Sequence, residues 1–348
     1  MQYLQPMNRK HFLGKSALAL ASAALPISRL MAAPGKTAPA WTIPPYLKKG
    51  DVIGITCPSG YIPEKDIQPA VQQLTAWGFT VETGKTVGLR DGSFGGSDAE
   101  RLADFQQMID SPHIKAVLCA RGGYGFVRII DQVDFTRFRR HPKWIIGFSD
   151  ITVLHCHLAH NYHIASLHSK MTNSFPENAA LADAVQQQTI QSIYQALSGE
   201  KMQYSAVMNP NNRTGKASGI LVGGNLNTIE TLAGSASDLP TAGKILFIED
   251  THEYLYSIDR MLWNLKRSRK LQHLKGLIVG GFSLKPDEPG DEFGRTLYDI
   301  VMEKVKQYSY PVCFDFPVGH QKNNMALKCG VRHQLIVHEA GATLTELR

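Results

Sequence analysis

The chain of 348 residues has little cysteine: Cys57, Cys119, Cys156, Cys313 and Cys329 are widely separated and form no CxxC pair. Zinc spacing and a disulfide framework are therefore unsupported, and the mostly apolar surroundings point to buried thiols. The N-terminal apolar stretch, residues 16–27, is too short for a membrane span. The glycine turn Arg121-Gly122-Gly123-Tyr124-Gly125 lacks both the Lys-Ser/Thr of a P-loop and the spacing of a dinucleotide fingerprint, which argues against nucleotide binding. There is no internal repeat and no low-complexity tract. Acidic residues are missing from the first forty positions, which hold Arg9, Lys10, Lys15, Arg29 and Lys36. Setting those five aside reduces the net charge from +7 to +2, 32 basic against 30 acidic residues. Such a body has no electrostatic footprint for nucleic acid.

The basic start has its own explanation. Residues 8–15 form a basic segment, the apolar stretch follows, and small residues offer cleavage after Ala23 or Ala33. This is the pattern of a bacterial export signal, and Arg9-Lys10 followed by Phe12-Leu13 approximates a twin-arginine signal with lysine in second place. The expectation is a periplasmic or otherwise exported protein. No cysteine directly follows the segment, so no stable membrane anchor is expected. The alternative is a cytosolic chain with a disordered extension.

Beyond a Pro-rich link, strands are expected at 51–56, 79–86, 116–120 and 144–148, with helices at 67–77 and 99–110. This alternation predicts an α/β fold: an N-terminal, mostly parallel sheet flanked by helices, Rossmann- or flavodoxin-like, with ligands at the carboxyl ends of the strands. A smaller C-terminal α/β domain is expected from strands at 220–222, 245–248, 277–279 and 333–338, covered by helices near Ile229, at 257–266 and at 296–307. The expected organisation is export signal and linker (1–45), nucleophile domain (46–172), interdomain connection with a helix near 180–197 (173–214), and C-terminal domain (215–348).

Chemistry concentrates at three places. The apolar run Trp144-Ile145-Ile146 leads into Gly147-Phe148-Ser149-Asp150, which presents a serine at a strand-to-helix turn. The alternative is that Ser149-Asp150 merely caps the next helix. A second apolar strand ends in Glu249-Asp250, and Gly319-His320 places a histidine in a loop. A serine hydroxyl needs a histidine to take its proton, and the histidine needs a carboxylate to fix its tautomer, so Ser149, His320 and Glu249 would form a triad. Glu253 rivals Glu249, but lies in the following loop or first helical turn rather than at the rigid strand end, and would shape the substrate pocket or cap the helix around Asp259-Arg260. The glycine turn at 122–125 could offer N–H groups to an oxyanion or be a structural turn alone. His155, His157, His160 and His163 invite a metal reading, but no carboxylate joins them and only the i, i+3 pairs are neighbours on a helix. Asp259-Arg260 reads as an interdomain or helix-surface salt bridge.

Taken in order, Gly95-Gly96-Ser97-Asp98 with Glu100-Arg101, Arg121-Gly122-Gly123-Tyr124-Gly125, Gly147-Phe148-Ser149-Asp150, Gly223-Gly224-Asn225-Leu226, Glu249-Asp250 with Glu253 and Asp259-Arg260, and Gly319-His320 resemble the LD-carboxypeptidases. These serine peptidases look like muramoyltetrapeptide carboxypeptidase and have microcin C immunity peptidases as relatives. The resemblance spans residues 46–337. It implies hydrolysis of the bond between an L-centre, meso-diaminopimelate or L-lysine, and terminal D-alanine in murein peptides. It also implies an oxyanion hole from the N–H groups of Gly123 and Asp150, no metal or organic cofactor, and a homodimer; Arg121 and Glu253 are the candidate substrate contacts. The rival functions are a microcin C-type immunity peptidase acting on a peptidyl- or aminoacyl-nucleotide and a non-catalytic murein-peptide-binding homologue.

Overall fold

A computed structural model describes residues 40–178 and 180–347. The expected export signal, in the first 33 residues, lies outside them. The first half runs β1 (Val52–Thr56), α1 (Gln68–Ala76), β2 (Thr80–Thr83), α2 (Asp98–Asp110), β3 (Ile114–Cys119), α3 (Thr136–Arg140), β4 (Trp144–Gly147), α4 (Thr152–Asn161), β5 (Ser166–His168) and α5 (Ala184–Leu197). The second half runs β6 (Gln203–Val207), β7 (Gly215–Asn225), α6 (Leu226–Thr231), β8 (Ile245–Glu253), α7 (Leu255–Arg267), β9 (Gly276–Leu284), α8 (Leu297–Val305), β10 (Val312–Cys313), β11 (Leu327–Cys329), β12 (Arg332–His338) and β13 (Gly341–Glu346).

These strands form two sheets. The first has the order β11-β5-β4-β3-β1-β2 and is parallel except where β11 runs antiparallel to β5. Its central strands are continuous apolar runs because both faces are covered; Trp144, Ile145 and Ile146 are all buried. The second sheet has the order β10-β9-β8-β7-β12-β13-β6, with β10 through β7 parallel and the remainder antiparallel. Helix α7 shows one-sided packing, burying Ile258, Met261, Leu262 and Leu265 at i, i+3, i+4 and i+7. Helix α4 is different: Thr152 through Ala159 are all buried, because it packs against β5 of one sheet and β7 of the other.

The strand expected at 79–86 ends at Thr83. Beyond it Thr86 Oγ1 donates to Asp104 Oδ2 at 2.5 Å and accepts from the Cys57 N–H at 2.9 Å, so side-chain bonds replace the ladder. Strands β5, β6, β10, β11 and β13 lie outside the strands that the sequence pattern predicts. The segment 173–214, read as a connection, contains α5 and the edge strand β6, which pairs with β13. All five cysteines are buried free thiols.

Candidate active site

Strand β4 delivers its chain into a strained turn. Ser149 has φ of 62°, a left-handed backbone at a non-glycine residue, which costs of order 1–3 kcal/mol and persists only where surrounding structure enforces it. The chain turns through a short 3-10 segment, Ser149–Ile151, into α4, and no side-chain cap bond is formed at either start. The helix-capping alternative for Ser149-Asp150 is thereby removed, and Ser149 stands half-buried with its hydroxyl unengaged by that helix.

The glycine turn lies directly against this serine. A Cβ at position 122 would sit 2.9 Å from Ser149 Cβ, so only glycine permits the approach. The Gly122 carbonyl accepts from the Gly60 N–H at 2.9 Å. The Asp150 carboxylate points inward, accepting from Ser59 Oγ at 2.5 Å and from the Phe126 N–H at 2.8 Å. Burial pushes its pKa upward against these bonds. Arg101, fully buried, donates to the carbonyls of Pro58 at 2.6 Å and Gly125 at 2.9 Å and pairs with Asp98. The motif at 95–101 therefore braces the glycine turn, with Ser97 and Glu100 forming a capping box on α2. Among the described residues, neither the Gly123 nor the Asp150 N–H meets a protein acceptor.

Glu249 is completely buried at the middle of β8, in register with Asn225 of β7; the strand runs on through Glu253 instead of ending at Glu249, so Glu253 is its last residue and not part of a loop or helical turn. His320 Nδ1 lies 2.5 Å from its Oε2, and the His320 backbone N–H donates to the same oxygen at 3.1 Å. Burial alone would raise the pKa of Glu249, but the imidazoles of His168 and His320 outweigh it and hold the carboxyl at about 2. The carboxylate is therefore ionised at neutral pH, and Nδ1 of His320 must carry the proton between them. The ring of His320 packs on Phe148, the residue preceding Ser149, with centroids 4.9 Å apart. The Gly319 N–H donates to Asn324 Oδ1 at 2.8 Å, which anchors the loop.

A cavity of about 290 Å³ opens beside Ser149 and includes Gly123, Asp150, Asp250 and Glu253 in its wall. Glu253 Oε1 accepts from Asn227 Nδ2 at 2.7 Å. Behind it, Asp250 accepts from Asn225 Nδ2 at 2.8 Å and from the Asn227 N–H at 2.9 Å, and burial leads its pKa up to about 6. The sequence sets Asn225 in a glycine motif without a role and gives Asn227 no signal beyond an Asn-x-Asn spacing at the end of β7. Arg121 does not line this cavity: its Nη1 donates to the Tyr61 carbonyl at 2.7 Å and its side chain is exposed.

The histidine run is dispersed. His155 lies between Ser166 Oγ at 2.8 Å and the Gly147 carbonyl at 2.9 Å, His157 meets Ser237 Oγ at 2.9 Å, His160 meets the Asp238 carbonyl at 2.6 Å, and His163 packs on Trp41. Among the described residues no group of three or more His, Cys, Asp or Glu is arranged to hold a metal ion. The expected Asp259–Arg260 pair is not made; Asp259 meets Lys304 of α8, and the Arg260 guanidinium lies over the Tyr256 ring.

The chain is 34% identical over 304 residues to a probable murein peptide carboxypeptidase of Bacillus subtilis, covering 86% of this chain and 93% of that protein. It is 26% identical to a microcin C7 self-immunity protein of Escherichia coli, covering 86% of this chain and 94% of the relative. The crystal structure of muramoyltetrapeptide carboxypeptidase from Oxalobacter formigenes superposes with a TM-score of 0.76 at 28% identity, covering 85% of this chain and 99% of that one. Residues 53–169 match the LD-carboxypeptidase N-terminal domain and residues 218–335 the LD-carboxypeptidase C-terminal domain, and the chain belongs to the LD-carboxypeptidase family.

Proposed function

We propose that this serine carboxypeptidase removes terminal D-alanine from murein tetrapeptides, cutting the bond that follows an L-configured centre. Ser149 Oγ attacks the scissile carbonyl while His320 Nε2 takes its proton. Glu249 holds the opposite nitrogen of the ring and steadies the imidazolium. The Gly123 and Asp150 N–H groups receive the oxyanion. His320 then returns the proton to the departing amino group, and water repeats the sequence on the acyl-enzyme. The single observation that carries this reading is the contact of His320 Nδ1 with the ionised, buried Glu249, on a ring packed against the neighbour of Ser149.

The cavity wall bears on the rival substrate. It contains Glu253, with Asp250 behind it, and no lysine or arginine, so it offers no cation to a phosphate-linked nucleotide conjugate. Tyr124 does supply an aromatic ring there. Incubation with purified tetrapeptide muropeptides, followed by mass spectrometry, should show loss of one alanine. No loss from tetrapeptides together with hydrolysis of an aminoacyl-nucleotide conjugate would replace this substrate with the rival one.

Export belongs to the same proposal and is supported by the basic segment at 8–15 and the apolar stretch after it. N-terminal sequencing of the native protein should begin after residue 23 or 33. An intact Met1 in a cytosolic fraction would overturn it. The resemblance also supports a homodimer, which sedimentation of the mature protein tests.

A further inference from the structure

The triad leaves one oxygen of Glu249 unaccounted for. Oε2 serves His320, whereas Oε1 is buried and without a hydrogen-bond partner. Facing it is His168, the last residue of β5, completely buried, with neither ring nitrogen partnered. His168 Nε2 lies 3.8 Å from Glu249 Oε1, just beyond hydrogen-bond reach and too close for an intervening water. Two buried polar groups left open toward each other are costly unless they serve one another.

The ring is also fixed in place. His168 meets Phe247 edge-on at 5.0 Å and Phe148 at 5.7 Å, and Phe148 is the same residue on which His320 packs. Its backbone is held between β4 and β11, through Gly147 and Leu327. The other titratable groups around the pair are already committed. His155 of α4, with ring centroid 6.2 Å away, is kept neutral by burial and bonded to Ser166 and Gly147. Burial pushes the Cys329 thiol of β11 up to about 12. Lys170 donates to the Gln321 carbonyl at 2.8 Å. Asp250 is turned to Asn225 and Asn227.

We propose that His168 is a positioning residue of this active site, directing Nε2–H at Glu249 Oε1 so that the carboxylate is held between two imidazoles, one to each oxygen. The inference rests on the triad reading above. A movement of less than about 1 Å completes the bond. The consequence is on proton affinity. A donor facing Oε1 spreads the carboxylate charge, so the Glu249–His320 pair binds a proton less tightly than it would with His320 alone. Replacing His168 with an apolar ring must raise the pH at which the pair gains a proton and becomes inactive.

The test compares His168→Phe with His168→Gln in steady-state cleavage of muropeptides across pH. For His168→Phe, kcat should fall about 10- to 100-fold, the range seen when a partner behind an essential group is lost. KM should hold, and the acid limb of kcat/KM should move to higher pH. His168→Gln retains a donor and should recover most of kcat and the original limb. A His168→Phe variant with an unmoved acid limb, or with its loss confined to KM, overturns the proposal. Nitrogen NMR of the imidazoles in the unsubstituted enzyme decides independently of whether the variants fold: His168 must carry its proton on Nε2, and a proton on Nδ1 alone overturns the assignment. Failure of the substrate reading would show separately, as an unsubstituted enzyme that leaves tetrapeptides intact.

Discussion

A methyl group on Gly319 would sit 2.3 Å from Glu249 Cβ, so the loop carrying His320 reaches its acid only because residue 319 has no side chain. Its φ of 100° adds a second requirement for glycine. Gly319→Ala should therefore push the loop outward, lower kcat by more than about tenfold, and destabilise the fold by roughly 1–3 kcal/mol. Kinetics and thermal unfolding of the same preparation check both; full activity would mean that the His320 loop tolerates displacement.

Ser149→Ala should abolish turnover, a loss on the order of 10⁴- to 10⁶-fold for removal of a nucleophile. Activity within tenfold of the parent would remove Ser149 from the mechanism.

The left-handed backbone of Ser149 supplies a second expectation for that position. Ser149→Gly should be equally inactive yet more stable, by about 1 kcal/mol, because glycine adopts this φ without strain. A lower melting temperature for Ser149→Gly than for Ser149→Ala would show that the turn is not strained.

Glu249→Gln should lower kcat by roughly 10³- to 10⁴-fold through the wrong imidazole tautomer. Glu253→Gln, altering a cavity wall held by Asn227, should act mainly on KM. The reverse pattern on one substrate would exchange the two assignments.

Stability should decline from about pH 6.5 downward, before most carboxylates titrate. Burial depresses His155 from 6.5 to about 3 and His333 to about 4, so below pH 6.5 the unfolded chain gains protons the folded one does not. Each such site contributes a slope of up to about 1.4 kcal/mol per pH unit. Asp250 works the other way. With its pKa raised from 3.8 to about 6, the folded state binds its proton first, and stability rises through that window as pH falls. Its compensation ends near 3.8, while Glu249, lowered from 4.5 to about 2, loses its contribution between those values. Denaturant midpoints should fall gently from pH 6.5 to 4 and steeply below; a flat profile to pH 4 would contradict the buried neutral histidines.

The parallel sheet and the turn at Ser149 were legible because apolar runs such as 144–146 and 245–248 are strand segments covered on both faces, and Gly147 marks where the first stops; the second runs on as the polar stretch 249–253, whose acidic residues concealed its continuation. Glu249 and His320 could be named separately for the same reason. Their contact spans 71 positions and had no local signal. His168 was invisible: β5 has three residues, too few to show a period, and its partner Leu327 lies in the C-terminal segment. Arg121 adjoins the glycine turn, and its side chain folds back to the Tyr61 carbonyl, a contact 60 positions away that had no local signal. Asp259 found Lys304 rather than Arg260 because adjacent helical residues do not face each other.

Strand β11 makes the two sheets inseparable as genetic modules. A fragment ending before residue 327 would leave β5 as a bare edge, its ladder groups open to any passing strand and His168 at its last position uncovered on one side. Cutting the chain between the sheets or exchanging the second half for that of a relative would each remove or replace this stitch. Chimeras joined within 173–214 should therefore carry residues 327–329 and 166–168 from the same parent, because those two short segments are one structural unit despite the chain length between them.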